Sequence, residues 1–168
     1  MAKKKTIKSA PTPDQYLDFI GAMVLQGVGL DNAKVNIDRG ELAQATLDDA
    51  VSQLSLDTEF GVILNTNEQL IVGAKLKINQ SKKNDLSNQL LNIECSFSAL
   101  FQLGFPGNSV FANRFANTEA KLIFWPYFRH FIADTSYRMA ITPILVPLIT
   151  AAGQQEKNLL HKKKASKS

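Results

Sequence analysis

Two histidines, one cysteine and nine glycines are the residues from which this 168-residue chain would have to build most kinds of catalysis. His130 lies in an apolar run and His161 in a lysine-rich tail, and neither has a second metal ligand nearby in sequence. No metal is expected. His130 could act as a general base, but no nucleophile pattern accompanies it, so an ordinary structural histidine is the simpler account. Cys95 stands inside an alternating stretch, where a small apolar residue in a packed face explains it better than a reactive thiol does. As the single cysteine it excludes an intramolecular disulfide and agrees with a reducing compartment. The glycines occur singly, without the run that cradles a phosphate, and the carboxylates are scattered with no spacing that pairs them as acid and base. These patterns point to a binding protein that uses no cofactor, not to an enzyme.

The elements that would present a binding surface are clearest in the middle of the chain. Leu54, Leu56, Thr58, Phe60, Val62 and Leu64 alternate with more polar neighbours, which predicts a strand near 52–65 with one buried face. After the polar turn Asn65-Thr66-Asn67-Glu68, Leu70, Val72, Ala74, Leu76 and Ile78 alternate in the same way and complete a hairpin. Beyond the polar loop 81–88, a third run places Leu91, Ile93, Cys95, Phe97, Ala99, Phe101 and Leu103 on one face. Three such strands joined by short polar loops make an antiparallel meander. Residues 16–28 are ambiguous: Tyr16, Ile20, Met23 and Val24 could stripe a helix, whereas Met23, Leu25, Val28 and Leu30 could lie along an irregular strand. Val35 and Ile37 tip the second half towards strand.

Gly104-Phe105-Pro106-Gly107 ends the third strand, and residues 108–117 read as a loop carrying Val110, Phe111 and Phe115. A helix is expected over about 118–138, capped by Asn117 or Thr118 and kinked or restarted at Pro126. It is apolar almost all round, so it has to be covered on more than one side, which implies oligomerisation or an apolar groove.

Apolar residues make up 45% of the chain and charged residues 20%, an ordinary globular balance. The formal net charge of +4 hides a division. Nine of the 19 basic residues are lysines in residues 1–13 and 154–168, whereas residues 11–155 hold 10 basic against 14 acidic side chains, a net of −4. A basic face for nucleic acid is therefore missing from the body, and the ends read as basic, flexible tails. No window approaches the roughly 20 apolar residues of a membrane span. The start has no apolar segment behind its lysines, so no secretory signal is expected and the cytoplasm is the expected location. One folded domain is expected over 14–153.

The run Phe124-Trp125-Pro126-Tyr127-Phe128-Arg129, then Arg138, then Thr142-Pro143-Ile144-Leu145-Val146-Pro147, resembles the SecB family of protein-export chaperones, as does the strand from Ile93 to Phe101. The similarity spans roughly 25–150. It implies an α+β fold, a four-stranded antiparallel sheet packed with a long helix, assembled as a homotetramer that is a dimer of dimers. It implies unfolded or precursor polypeptides as partners, held without nucleotide. It further implies that Ile93, Cys95 and Phe97 form contacts between sheets of different copies, and that Glu94, with Asp57 and Glu59, lies where family members dock SecA. Client contacts are expected at Leu30 and Val35, at Phe105, Phe111 and Phe115 in the loop, and at Ile144, Leu145 and Leu148 in the proline strip. Two departures stand out. The segment Leu148-Ile149-Thr150-Ala151-Ala152-Gly153 is too short for the family's second helix, and the tail is basic where an acidic, SecA-binding tail is usual. A polypeptide-holding SecB-like chaperone, whether a general factor for protein export or one with a narrower client set, an adaptor with one fixed partner and a small-ligand or substrate-modifying protein on the same sheet are all open from the sequence.

Overall fold

A computed structural model describes residues 12–52 and 54–147. The chain divides into two compact units, residues 1–120 and 121–168.

The first unit is built on a four-stranded antiparallel sheet. Helix α1 (Pro13–Gly21) is opened by a capping box in which Thr12 and Gln15 satisfy each other's backbone N–H groups. Strand β1 (Met23–Ile37) follows after a single residue, so both readings of the ambiguous N-terminal stretch are correct, each for one half. Helix α2 (Arg39–Leu47) was not expected; Asp38 caps it by accepting from the Glu41 N–H. Strands β2 (Ser55–Asn65), β3 (Gln69–Lys82) and β4 (Asp85–Leu103) form the expected meander, and β1 pairs with β4, giving the order β1-β4-β3-β2. The first strand thus closes a Greek-key order on the far side of the meander.

On β3 and β4 the alternation is realised as read. Leu70, Val72, Leu76, Ile78, Leu91, Ile93 and Ala99 are fully or almost fully buried along one face. The expected loop 108–117 is instead helix α3 (Ser109–Asn117), because the Asn108 side chain caps the N–H groups of Val110 and Phe111, and Phe111, Ala112, Phe115 and Ala116 recur at helical spacing. Phe111 packs on Tyr16 and Phe19 of α1, and Phe115 meets Phe101 of β4 edge-on at 5.2 Å. Tyr16 is buried beneath the Arg114 guanidinium, 3.9 Å from its ring, and donates its hydroxyl to Glu119. Burial and the Glu119 carboxylate push its pKa up to about 12.

The second unit contains nearly all of helix α4 (Ala120–Arg138), which includes Pro126 and so lacks one internal hydrogen bond. Its buried residues Phe124, Trp125, Phe128, Ile132, Thr135 and Ser136 form one helical stripe, whereas Leu122, Tyr127 and Tyr137 are exposed. The helix is therefore one-sided in burial although its sequence is apolar almost all round. Within this unit the proline strip returns along α4: Trp125 Nε1 donates to the Pro147 carbonyl at 2.6 Å, and the Ile144 N–H reaches Ser136 Oγ at 3.4 Å. Among the described residues no helix is long and apolar enough to cross a membrane.

Candidate functional site: an uncovered apolar strip on an edge strand

β1 reads poorly in sequence because its apolar period slips twice. Pairing with β4 shifts between Leu25 and Gly27 and again between Leu30 and Asn32, so Gln26 and Asp31 are single-residue bulges. Each bulge moves the following residues over by one position, and since side chains alternate faces, it restores the phase of the next apolar set. Met23, Leu25, Val28, Leu30, Ala33, Val35 and Ile37 thereby face Leu103, Phe101, Ala99, Phe97, Cys95, Ile93 and Leu91 in register. Seven apolar residues of β1 share the face that is buried on β4.

That burial stops at β4. Phe101, Phe97 and Ile93 are 3%, 7% and 0% exposed, but their partners Leu25, Leu30 and Val35 are 43%, 50% and 39% exposed. Among the described residues β1 is an edge strand with β4 as its sole neighbour in the sheet. The outcome is an apolar strip beside an open row of backbone N–H and C=O groups, a combination that proteins normally cover or blunt. The expected client contacts Leu30 and Val35 lie on it. Leu25, read from the sequence on the same irregular strand as Leu30, was not among the expected client contacts.

The other expected client residues are distributed differently. Phe105 is exposed, on the turn after β4. Phe111 and Phe115 are corrected: they sit on α3 and not in a surface loop, Phe111 half-buried among aromatic rings and Phe115 buried, so both hold the first unit together. In the second unit Leu145 is 88% exposed while Ile144 is half-buried and Val146 buried. Leu148 lies outside the described residues.

Ile93, Cys95 and Phe97, expected between copies, are buried within the single chain. Their side chains are thus spent on the chain's own core, because the face they share is already out of water without a second copy. Burial pushes the Cys95 thiol up to about 12. It should therefore stay protonated and unlabelled by a maleimide in the native state at neutral pH and react fully in denaturant; rapid native labelling would refute its burial.

Glu94, Asp57 and Glu59 do share the outer face of the sheet, but each has a lysine directly across: Asp57 opposite Lys77, Glu59 opposite Lys75, and Glu94 opposite both Lys77 and Lys34. Lys77 bonds Glu94 at 3.1 Å and holds its carboxyl below the usual range. The face is a ladder of alternating sign and not an acidic patch. His130 is exposed on α4, and among the described residues no three His, Cys, Asp or Glu side chains gather as metal ligands.

No family model matches the chain, and no curated protein matches it. Among solved structures, a SecB-like chaperone of Mycobacterium tuberculosis, determined in complex with a ChAD peptide from the HigA1 antitoxin, is similar over 78% of this chain and 93% of that one, with a TM-score of 0.63 and 16% identity. A Streptococcus agalactiae protein of unknown function aligns over 76% of this chain and 97% of that one at a TM-score of 0.45 and 5% identity. The first of these shows the fold: the sheet and helices are SecB-like.

Proposed function

We propose that the protein holds non-native polypeptides by binding their apolar segments, without nucleotide hydrolysis. The observation that carries this reading is the half-exposed row Leu25, Leu30 and Val35 along an open sheet edge, on a face that is buried on β3 and β4. Apolar surface left in water is a source of binding free energy that needs no chemistry, and an unfolded chain supplies both the apolar side chains and the backbone groups to cover it. Phe105 and Leu145 add exposed contacts, and many weak contacts on one flexible client give tight holding with little sequence specificity. The antitoxin peptide bound by the Mycobacterium tuberculosis SecB-like chaperone supports a polypeptide segment as the kind of partner.

Holding is proposed as the activity and delivery to SecA is not, because the lysines facing Asp57, Glu59 and Glu94 neutralise the surface that docking would use. Assembly into a homotetramer remains part of the proposal, through surfaces other than the side chains of Ile93, Cys95 and Phe97. The second reading, an adaptor for one fixed partner, draws on the same antitoxin complex.

Two unrelated denatured proteins diluted into buffer with the stoichiometric chain, without ATP, should aggregate more slowly than alone and elute with it on a sizing column. Equal turbidity with and without the chain for both substrates would remove the holding function. Protection of a single partner would favour the adaptor.

A further inference from the structure

Within the second unit, residues 141–147 lie along α4 with almost no backbone pairing to hold them. Thr142 and Val146 precede prolines, which keeps them out of the helical region, and Pro143 and Pro147 have no N–H to give. Among the described residues no backbone group of 142–147 pairs with another backbone group. Side chains of α4 hold the segment instead. At one end the Ser136 hydroxyl donates to the Ile132 carbonyl and accepts from the Ile144 N–H; at the other, Trp125 Nε1 donates to the Pro147 carbonyl. Trp125 and Ser136 are eleven residues apart, about three helical turns, so they share one line of the buried stripe with Ile132 between them. Val146 is buried, whereas Leu145 next to it is exposed.

The chain enters this segment through a strained residue. Ala140 follows α4 in the left-handed region at φ 53°, while its own N–H and that of Ile141 reach back to the carbonyls of Tyr137 and Ser136. Glycine usually takes this position, because a Cβ crowds the following carbonyl there. The turn that lays the segment on α4 therefore carries a cost that disappears when the segment leaves.

We infer that residues 141–147 are a displaceable strap, a segment of the chain itself that fills a polypeptide-binding stripe on α4 from Trp125 to Ser136 until an extended client takes its place. This rests on the proposed holding function and adds to it a second site with its own regulation. The strap is built as an extended client would be, with side chains alternately in and out of the apolar surface and backbone groups met by side chains of the helix. Trp125 Nε1 and Ser136 Oγ would meet a carbonyl and an N–H of an unfolded chain in the same way, so neither polar group is left bare during the exchange. A site that its own strap fills for most of the time binds clients more weakly, in proportion to the fraction of time it is open. Loosening the strap then tightens client binding and fixing it weakens client binding. If the segment were only core, or itself a surface that clients touch, loosening it would weaken binding or leave it unchanged.

The test follows the anisotropy of fluorescein-labelled ribonuclease A, reduced and carboxymethylated so that it stays unfolded, as the full chain or one of three variants is added. Val146→Ser removes the strap's buried side chain. It should bind the client roughly fivefold more tightly, and without client it should leave Trp125, the single tryptophan, more open to acrylamide quenching. Ala140→Gly removes the strain of the closed turn and should bind roughly fivefold more weakly. Ser136→Cys with Ile144→Cys places two thiols where the backbone of one residue lies 3.4 Å from the side chain of the other, close enough to bridge. The oxidised form should bind at least roughly tenfold more weakly than the reduced form of the same protein. Equal binding by those two forms overturns the inference, and so does weaker binding by Val146→Ser with a native circular dichroism spectrum. If the bridge does not form or Val146→Ser does not fold, Ala140→Gly decides: affinity equal to or above that of the wild type overturns the inference. If the wild type binds the client and every variant matches it, the strap falls and the holding function stands; if the wild type neither binds it nor suppresses aggregation, both fall.

Discussion

Replacing Leu30 and Val35 together by aspartate is expected to leave the fold intact and to cost most of the capacity to hold denatured proteins. Both side chains are about half out of water, so the folded chain loses little when they become polar. A client that covers them loses more. Completing the burial of a half-exposed aliphatic side chain is worth about 1 kcal/mol, and a carboxylate there must also be desolvated, so the pair of changes should weaken holding at least roughly 30-fold. Leu86→Asp is the control: Leu86 is more exposed than either, but it stands near the β3–β4 turn, away from the strip. Native circular dichroism with turbidity suppression lost in the double variant and kept in the control is the expected result. Full suppression by the double variant, or equal loss in both proteins, would show that the strip is not where clients bind.

The largest stability effect is expected at Gly107. A Cβ there would stand 2.1 Å from the Thr66 carbonyl oxygen and 2.4 Å from Asn65 Oδ1, a buried atom with no hydrogen-bond partner among the described residues. The carbonyl cannot yield cheaply, because it belongs to the backbone of the β2–β3 turn. Gly107→Ala should therefore push the segment before α3 off that turn, at a cost of roughly 2–3 kcal/mol. For a chain of this size that lowers the melting temperature by roughly 4–12 °C. Gly61→Ala, with nothing within 4 Å of its added methyl, should melt within a degree or so of the wild type, roughly as a surface substitution does. Equal melting of Gly107→Ala and wild type would mean that this loop is not packed against the turn.

β3 and β4 were legible because nothing interrupts their pattern where the face is buried. From Leu70 to Ile78 and from Leu91 to Leu103 each second residue is apolar, and a period of two with one covered face has a single solution. The helix over 120–138 was legible from its composition and length. Helices α2 and α3 were not, since each is nine residues long and is nucleated by a cap, Asp38 or Asn108, that reads equally well as a turn residue. The misplacement of Phe115 follows directly from that: an aromatic in a loop is exposed, the same aromatic on a helix laid over β4 is not.

Residue types at short range were enough to give the character of the chain: an α+β protein whose core strands alternate, whose body is acidic and whose ends are basic. Those properties depend on residue types at short spacing, which secondary structure preserves. Which apolar residues are surplus depends on how the strands pack together. Leu25, Leu30 and Val35 are as apolar as Phe101, Phe97 and Ile93 and share their face, yet they differ in exposure because β1 lies at the edge and β4 does not. Strand order set that difference, and strand order comes from long-range pairing between residues more than fifty positions apart, which no local pattern encodes. The same holds for the charges: Asp57, Lys77, Glu94 and Lys34 are scattered in sequence and become one alternating row only when four strands bring them side by side.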